Sequence, residues 1–279
     1  MLSTEDLERL QATIDGWRRA GETVAFVPTM GNLHDGHLAL LAEARQRADR
    51  SVASIFVNPT QFGPGEDYES YPRTREADLA ALESAGCDLV WLPEVAQMYP
   101  LEQPFMVQVP EHLSDRLCGA SRPGHFDGVA SVVLRLFNQV RPDVAVFGEK
   151  DYQQLVIIRR MVEDLALSVE VAGLPTIREP DGLAMSSRNA YLDETERSHA
   201  PVLYRVLTEM AESLHEGAEF KALRSASLGQ LEAAGFRPDY LEWRSAEHLG
   251  EVAPGKPSRL FAAAWLGRAR LIDNVRVEC

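Results

Sequence analysis

The sequence predicts an α/β protein in which a doubly wound parallel sheet is followed by a second, smaller α+β domain. Three observations carry that reading. Short apolar runs alternate with helical stretches through the first two-thirds of the 279 residues, the runs are apolar on both faces, and the texture changes near residue 176. Strands buried on both sides with helices between them belong to parallel sheets, whose ligands bind at the carboxyl ends of the strands. The expected domains are therefore residues 1–176 and 177–279.

The strand-like runs are VAFVPTM (24–30), SVASIFVN (51–58), CDLVWL (87–92), DVAVFG (143–148) and SVEVAG (168–173). Between them Leu38, Leu41 and Ala44, then Ala77, Leu79, Ala80 and Leu82, then Leu155, Ile158, Met161, Val162 and Leu165 recur at helical spacing. Beyond 176 come a polar loop (IREPDGLAMSSRN), a long helical stretch around PVLYRVLTEMAESL, and strand-like runs near DYLEWR, RLFAAAWL and ARLIDNVRV. Neither an internal repeat nor a low-complexity tract interrupts this order.

Composition narrows the function classes. With 45% hydrophobic and 25% charged residues the chain is ordinary globular material, and its net charge of −14 argues against nucleic acid or anionic lipid as partners. The opening residues MLSTEDLERL are acidic where a signal peptide is basic, and no apolar run approaches the ~18 residues of a membrane span. A cytoplasmic protein is expected. Cys87, Cys118 and Cys279 are odd in number and widely spaced, so reduced thiols are expected rather than disulfides or a thiolate metal site.

The richest segment is PTMGNLHDGH, Pro28 to His37, which follows a strand and opens an amphipathic helix. His34 and His37, three apart, share one face of the first helical turn. A helix N-terminus offers unpaired N–H groups and a positive dipole end, which suits a triphosphate, and two imidazoles there can donate to phosphate oxygens. Gly31 and Gly36 allow close approach of the backbone. A metal pair is the bland alternative, but HDGH lacks the HExxH pattern.

FGEKDYQQL begins where the strand DVAVFG ends, so Gly148 permits a tight exit, Lys150 meets the phosphate edge of the sheet, and Gln154 projects one turn later. A solvated helix start is the competing reading. AMSSRN places Met185, Ser186, Ser187 and Arg188 in a polar loop where hydroxyls and a guanidinium can clamp phosphates. In FVNPTQFGPGEDYESYPRT, Asn58 and Gln61 carry neutral amides suited to hydroxyl and carboxylate groups. Asp78, on the helix that follows, reads either as a ligand for the Mg²⁺ that accompanies ATP or as a solvated side chain. The loop SRPGHF, with Arg122 and His125, reads either as a mobile cover or as an ordinary turn.

PTMGNLHDGH, FVNPTQFGPGEDYESYPRT, RPGHFDGV, FGEKDYQQL, REPDGLAMSSRN and RLIDN occur in the order in which pantothenate synthetases carry closely similar motifs. The chain resembles that family from about Val24 to Asn274, within the HxGH nucleotidylyl-transferase superfamily. The resemblance implies a Rossmann-like first domain, a smaller domain that closes over the active site, a homodimer, and condensation of pantoate with β-alanine through a pantoyl-adenylate, with MgATP consumed and AMP and pyrophosphate released. It implies that Met30, Gly31, Asn32, Leu33, His34, Asp35, Gly36, His37, Gly148, Glu149, Lys150, Asp151, Ile177, Met185, Ser186, Ser187 and Arg188 contact ATP, with Ile177 by the adenine. His34, His37, Lys150, Ser186, Ser187 and Arg188 are the implied catalytic set. Gln61 and Gln154 are implied to hold pantoate, with Asn58, Tyr71 and His125 on the β-alanine or phosphate side. Family members commonly have Ala-Leu-His-Glu where this chain has Asn32-Leu33-His34-Asp35, and Thr where it has Ser131. A nucleotidylyltransferase that keeps the nucleotide in its product shares HxGH, but is not expected to carry FVNPTQF together with FGEKDYQQ.

Overall fold

The structure is a computed structural model that describes residues 1–278, so the thiol of Cys279 lies outside the described residues. The chain forms two compact units. The first comprises Met1–Pro110, Arg122–Glu149 and Ile157–Pro175; the second comprises Glu111–Ser121, Lys150–Val156 and the chain from Thr176 onward. The sequence reading used one cut near 176. Contacts across the chain instead assign two earlier segments to the second unit.

In the first unit, strands β1 (Leu2–Thr4), β2 (Val24–Thr29), β3 (Arg50–Ile55), β4 (Leu89–Trp91), β5 (Val144–Gly148) and β6 (Glu170–Leu174) form one sheet in the order β1-β4-β3-β2-β5-β6. Every pairing in it is parallel. From β2 the chain winds outward through β3 to β4, then returns to the other side of β2 as β5, so β2 and β5 flank the switch point, paired through Ala25 with Val144 and Phe26 with Ala145. Ligands of doubly wound sheets bind at the carboxyl side of such a point.

Both faces of the sheet are covered, which is why its strands read as continuous apolar runs. Ala25 and Val27 of β2 pack with Ala44 of helix Asp35–Arg47 and with Val144, Val146 and Ala172. Their neighbour Phe26 points the other way and meets Phe137 of helix His125–Val140 edge to face, with ring centroids 6.5 Å apart. Phe137 also meets Phe147 of β5 at 6.3 Å. Helix Arg75–Ser84 adds Leu82 to a further cluster with Leu41, Ala53, Cys87, Val90 and Leu92.

The second unit carries an antiparallel sheet of β7 (Arg237–Ser245), β8 (Ser258–Leu266) and β9 (Ala269–Val277), in that order. Alternation along β8 sends Leu260, Ala262, Ala264 and Leu266 into a core with Leu203, Leu207 and Met210 of helix Val202–His215 and Leu231 of helix Phe220–Ala233. Phe261, on the opposite face, meets Tyr152 at 5.9 Å. No helix of the described residues is long and apolar enough to cross a membrane.

Candidate active site

The loop after β2 is built around a buried carboxylate. Thr29 Oγ1 donates to Ser54 O at 2.6 Å and accepts from Gly31 N at 3.2 Å. The next two amides turn to Asp78, with Asn32 N to Oδ2 at 2.9 Å and Leu33 N to Oδ1 at 2.8 Å; Thr74 Oγ1 adds a bond to Oδ2 at 3.1 Å. Gly31 has φ +81°, and a Cβ there would stand 2.9 Å from both Asp78 Oδ2 and Ile55 Cγ2. Glycine is therefore required at 31 by the loop itself, whatever a nucleotide needs. Asn32 also has positive φ, 51°, a conformation asparagine tolerates better than most residues.

This corrects the reading of Asp78. It is only 3% exposed, so it is not a solvated helix-surface side chain. Both oxygens accept hydrogen bonds from the loop, which gives the carboxylate a structural role there. Among the described residues no group of three or more His, Cys, Asp or Glu side chains is placed to hold a metal ion.

Past that loop, His34 is the N-cap of helix Asp35–Arg47. Its Nδ1 accepts from Gly36 N at 3.2 Å, while His37 Nδ1 accepts from His34 N at 3.3 Å, a capping box built from two imidazoles. The ring centroids are 4.1 Å apart. With each Nδ1 an acceptor, each neutral ring carries its proton on Nε2, the nitrogen farther from the backbone. The arrangement supplies two N–H donors at a helix N-terminus, a combination matched to phosphate.

The NPTQ segment forms a 3₁₀ turn, Pro59–Gln61, capped by Asn58. Asn58 is 1% exposed. Its Oδ1 accepts from Thr60 N at 3.3 Å, Thr60 Oγ1 at 3.0 Å and Tyr99 OH at 2.7 Å, and its amide donates to Gly128 O at 3.2 Å and Gln61 Oε1 at 3.1 Å. Both donors are thus used inside the protein, where Asn58 orients Gln61. Gln61 Nε2 in turn donates to Met30 Sδ at 3.1 Å, which joins two predicted site residues.

His125 opens helix His125–Val140 instead of riding on a loose cover. Its Nδ1 donates to Gln61 O at 2.7 Å and its Nε2 accepts from Arg122 NH1 at 2.9 Å. Arg122 grips Glu66 with Nε at 2.7 Å and NH2 at 2.6 Å. Burial pushes the Glu66 carboxyl up, but the hydrogen bond and charge of Arg122, with the Gly63 N–H and His125, together hold it below its ordinary value. Tyr71 is buried, its ring 6.0 Å from that of Phe62. Both Tyr71 and His125 support the turn that carries Gln61.

β5 ends at Gly148, where a Cβ would meet no protein atom within 4 Å, so packing does not demand a glycine. A 3₁₀ turn, Glu149–Asp151, leads into helix Tyr152–Asp164. Lys150 and Asp151 belong to the second unit, as does Gln154. The two glutamines of FGEKDYQQL part company here. Gln153 is buried, donating to Leu113 O at 2.8 Å and Arg116 O at 2.9 Å and accepting from Cys118 N at 3.0 Å, whereas Gln154 is partly exposed.

In the same unit Met185 N donates to Ile177 O at 3.0 Å, at the base of a hairpin bridged by Arg178 and Ala184. Ser186 caps the 3₁₀ turn Ser187–Tyr191, accepting from Arg188 N at 3.3 Å. Arg178 pins the hairpin, bonding Asp273 at 2.7 and 2.9 Å and stacking 3.5 Å over the Tyr204 ring.

Residues 3–276 match the family model described as pantoate-beta-alanine ligase. This chain belongs to that family. It is 53% identical over 281 residues to the pantothenate synthetase of Shewanella loihica, covering 100% of this chain and 99% of that one. Among solved structures, pantothenate synthetase from Thermus thermophilus superposes with a TM-score of 0.92 at 48% identity, covering 100% of both chains. Pantoate-beta-alanine ligase from Francisella tularensis, complexed with beta-gamma ATP and beta-alanine, gives 0.85 at 31%, covering 100% of this chain and 98% of that one. Membership in the pantoate-beta-alanine ligase family makes the protein a ligase of pantothenate biosynthesis, joining pantoate to β-alanine.

Asp78, Gln153, Arg178 and Asp273 are the residues whose supporting roles motif reading missed. Asp78, Gln153 and Asp273 are buried polar groups that have to find partners in the folded chain, and no local pattern marks those partners.

Proposed function

We propose that the protein works through two successive displacements. A pantoate carboxylate oxygen attacks the α-phosphorus of ATP, the bond to pyrophosphate breaks, and a pantoyl-adenylate forms. The amine of β-alanine then attacks the acyl carbon, breaking the C–O bond to AMP and losing a proton. Adenylation is needed because a free carboxylate has no adequate leaving group, and no side-chain nucleophile is required because the amine arrives as substrate.

In this reading the Nε2–H groups of His34 and His37 donate to phosphate oxygens as charge develops at the α-phosphorus. Lys150, Ser186, Ser187 and Arg188 neutralise and orient the phosphates, and Ile177 lies by the adenine. Gln61, its amide oxygen held by Asn58, and Gln154 hold pantoate. Mg²⁺ enters with the nucleotide as MgATP, and Asp78 is not assigned to it. A homodimer and a cytoplasmic location belong to the same proposal, the former checked by sedimentation equilibrium.

The observation that carries the proposal is the reciprocal cap, which fixes both histidines with Nδ1 toward the backbone at the start of one helix. The test is product analysis with MgATP, pantoate and β-alanine, omitting each in turn. AMP, pyrophosphate and pantothenate formed together support it. ADP and phosphate in place of AMP and pyrophosphate, or a product that retains the nucleotide, overturn it.

A further inference from the structure

The motif RLIDN has no part in the scheme above, yet its last residue is among the most constrained polar groups in the second unit. Asn274 on β9 is 3% exposed. Its Nδ2 donates to the backbone carbonyl of Lys150 at 3.0 Å, and its Oδ1 accepts from Arg259 NH1 at 2.6 Å. Its backbone N–H donates to Asp273 Oδ1 at 2.8 Å, the carboxylate that also holds Arg178. The Arg259 guanidinium is itself fixed, 4.1 Å over the ring of Tyr152.

We propose that Asn274 is a positioning residue for Lys150, its amide clamping the Lys150 carbonyl so that the ammonium is launched from a fixed backbone. The inference rests on the reading that Lys150 serves adenylyl transfer. A carbonyl held by a buried amide fixes the peptide plane that follows the lysine Cα. Lysine has four rotatable side-chain bonds, so a drifting base displaces the charge from where it is needed. The amide is suited to this because its two ends differ: one must donate to the carbonyl and the other must accept from Arg259, so a flip breaks both bonds. The clamp also ties Lys150 to the MSSR hairpin, since Asp273 joins Asn274 to Arg178.

Asn274→Asp provides the discriminating test. It preserves size and strengthens the pairing with Arg259, but a carboxylate cannot donate to the Lys150 carbonyl. Single-turnover pyrophosphate release with saturating MgATP and pantoate is measured for Asn274→Asp, Lys150→Ala and the double variant, together with nucleotide affinity. Misplacement by about 1 Å costs on the order of a hundredfold. The release rate of Asn274→Asp is therefore expected to fall tenfold to a hundredfold, with nucleotide affinity changed less than threefold and the double variant no slower than Lys150→Ala.

A rate within twofold of wild type for Asn274→Asp, or losses that multiply in the double variant, overturn the inference and leave the role of Lys150 standing. A Lys150→Ala enzyme within twofold of wild type overturns the role of Lys150 itself, and the inference with it. If Asn274→Asp folds poorly by circular dichroism, Arg259→Met serves instead, since it removes the partner that orients the amide. A smaller loss, present with Lys150 and absent without it, is then expected, and an equal loss in both backgrounds contradicts the proposal.

Discussion

Asp78 Oδ1 accepts the backbone N–H of Leu33 at 2.8 Å, so a carboxylate on one helix shapes the entry to another. Asp78→Ala strands the amides of Asn32 and Leu33, a loss of about 1–3 kcal/mol in stability by the usual cost of an unmet buried donor. Asp78→Asn keeps one acceptor but turns a donor toward a second N–H. Both variants are expected to lose stability in urea melts and to slow pyrophosphate release. If Asp78→Ala melts like wild type while losing only its Mg²⁺ dependence, the carboxylate is a metal ligand after all.

The two histidines are separable because His34 occupies the N-cap position, whereas His37 closes the capping box from N3. His34→Ala should cost about 1 kcal/mol of stability, while His34→Asn retains a good capping oxygen and should cost little. Both remove the Nε2–H donor, so both are expected to slow adenylation by about a hundredfold, a loss typical of one transition-state donor. Full single-turnover rates in His34→Asn would show that the histidine serves only the helix. His37→Ala should slow the same step with a smaller change in nucleotide affinity.

Gly128 is the point where helix His125–Val140 meets the turn that carries Gln61, and a Cβ there would lie 2.3 Å from Thr60 O. Gly128→Ala is expected to displace the turn, costing about 1–3 kcal/mol and raising the KM for pantoate more than that for ATP. Equal effects on both, or none on pantoate, would separate Gly128 from the pantoate site.

Burial pushes the Cys87 thiol up from 9.0 to about 11, against the lowering effect of its bonds to Leu89 and Ala53, with Asp88 adding to the rise. A group whose folded value is raised stabilises fully below its unfolded value and loses that contribution as pH climbs through the folded one. The thiol's share, roughly 2–3 kcal/mol for such a shift, should therefore fade between about pH 9 and 11. Denaturant melts of wild type and Cys87→Ala between pH 8 and 10.5 check this, the wild type losing more over the interval. Parallel losses in the two would contradict it.

The parallel sheet was legible because β2 and β5 are buried on both faces, which leaves continuous apolar runs. β1 was not: Leu2–Thr4 spans three residues and is defined by pairing with Leu89–Trp91. Helix Phe220–Ala233 was passed over for a similar reason, since of its residues only Ser227 and Leu231 are buried. The placement of His34 and His37 on the first turn of one helix was legible because their spacing is local. The structural role of Asn58 was not legible because its partners Tyr99 and Gly128 stand 41 and 70 residues away. The loop-holding role of Asp78, 45 residues from Leu33, and the partner of Asn274, 124 residues away at Lys150, were equally out of local reach. Motifs reveal which residues carry chemistry, whereas satisfaction of buried polar groups is a property of the folded chain.

The central claim is that pantoate is activated as an adenylate, and the most direct measurement follows its oxygen. Pantoate labelled with ¹⁸O in the carboxyl group is converted with MgATP and β-alanine, and the AMP is analysed by mass spectrometry. The account predicts one ¹⁸O in the AMP phosphate, because the bridging oxygen of the adenylate stays with phosphorus when the amine displaces it. AMP free of label, with one ¹⁸O in inorganic phosphate or released to water, would contradict it.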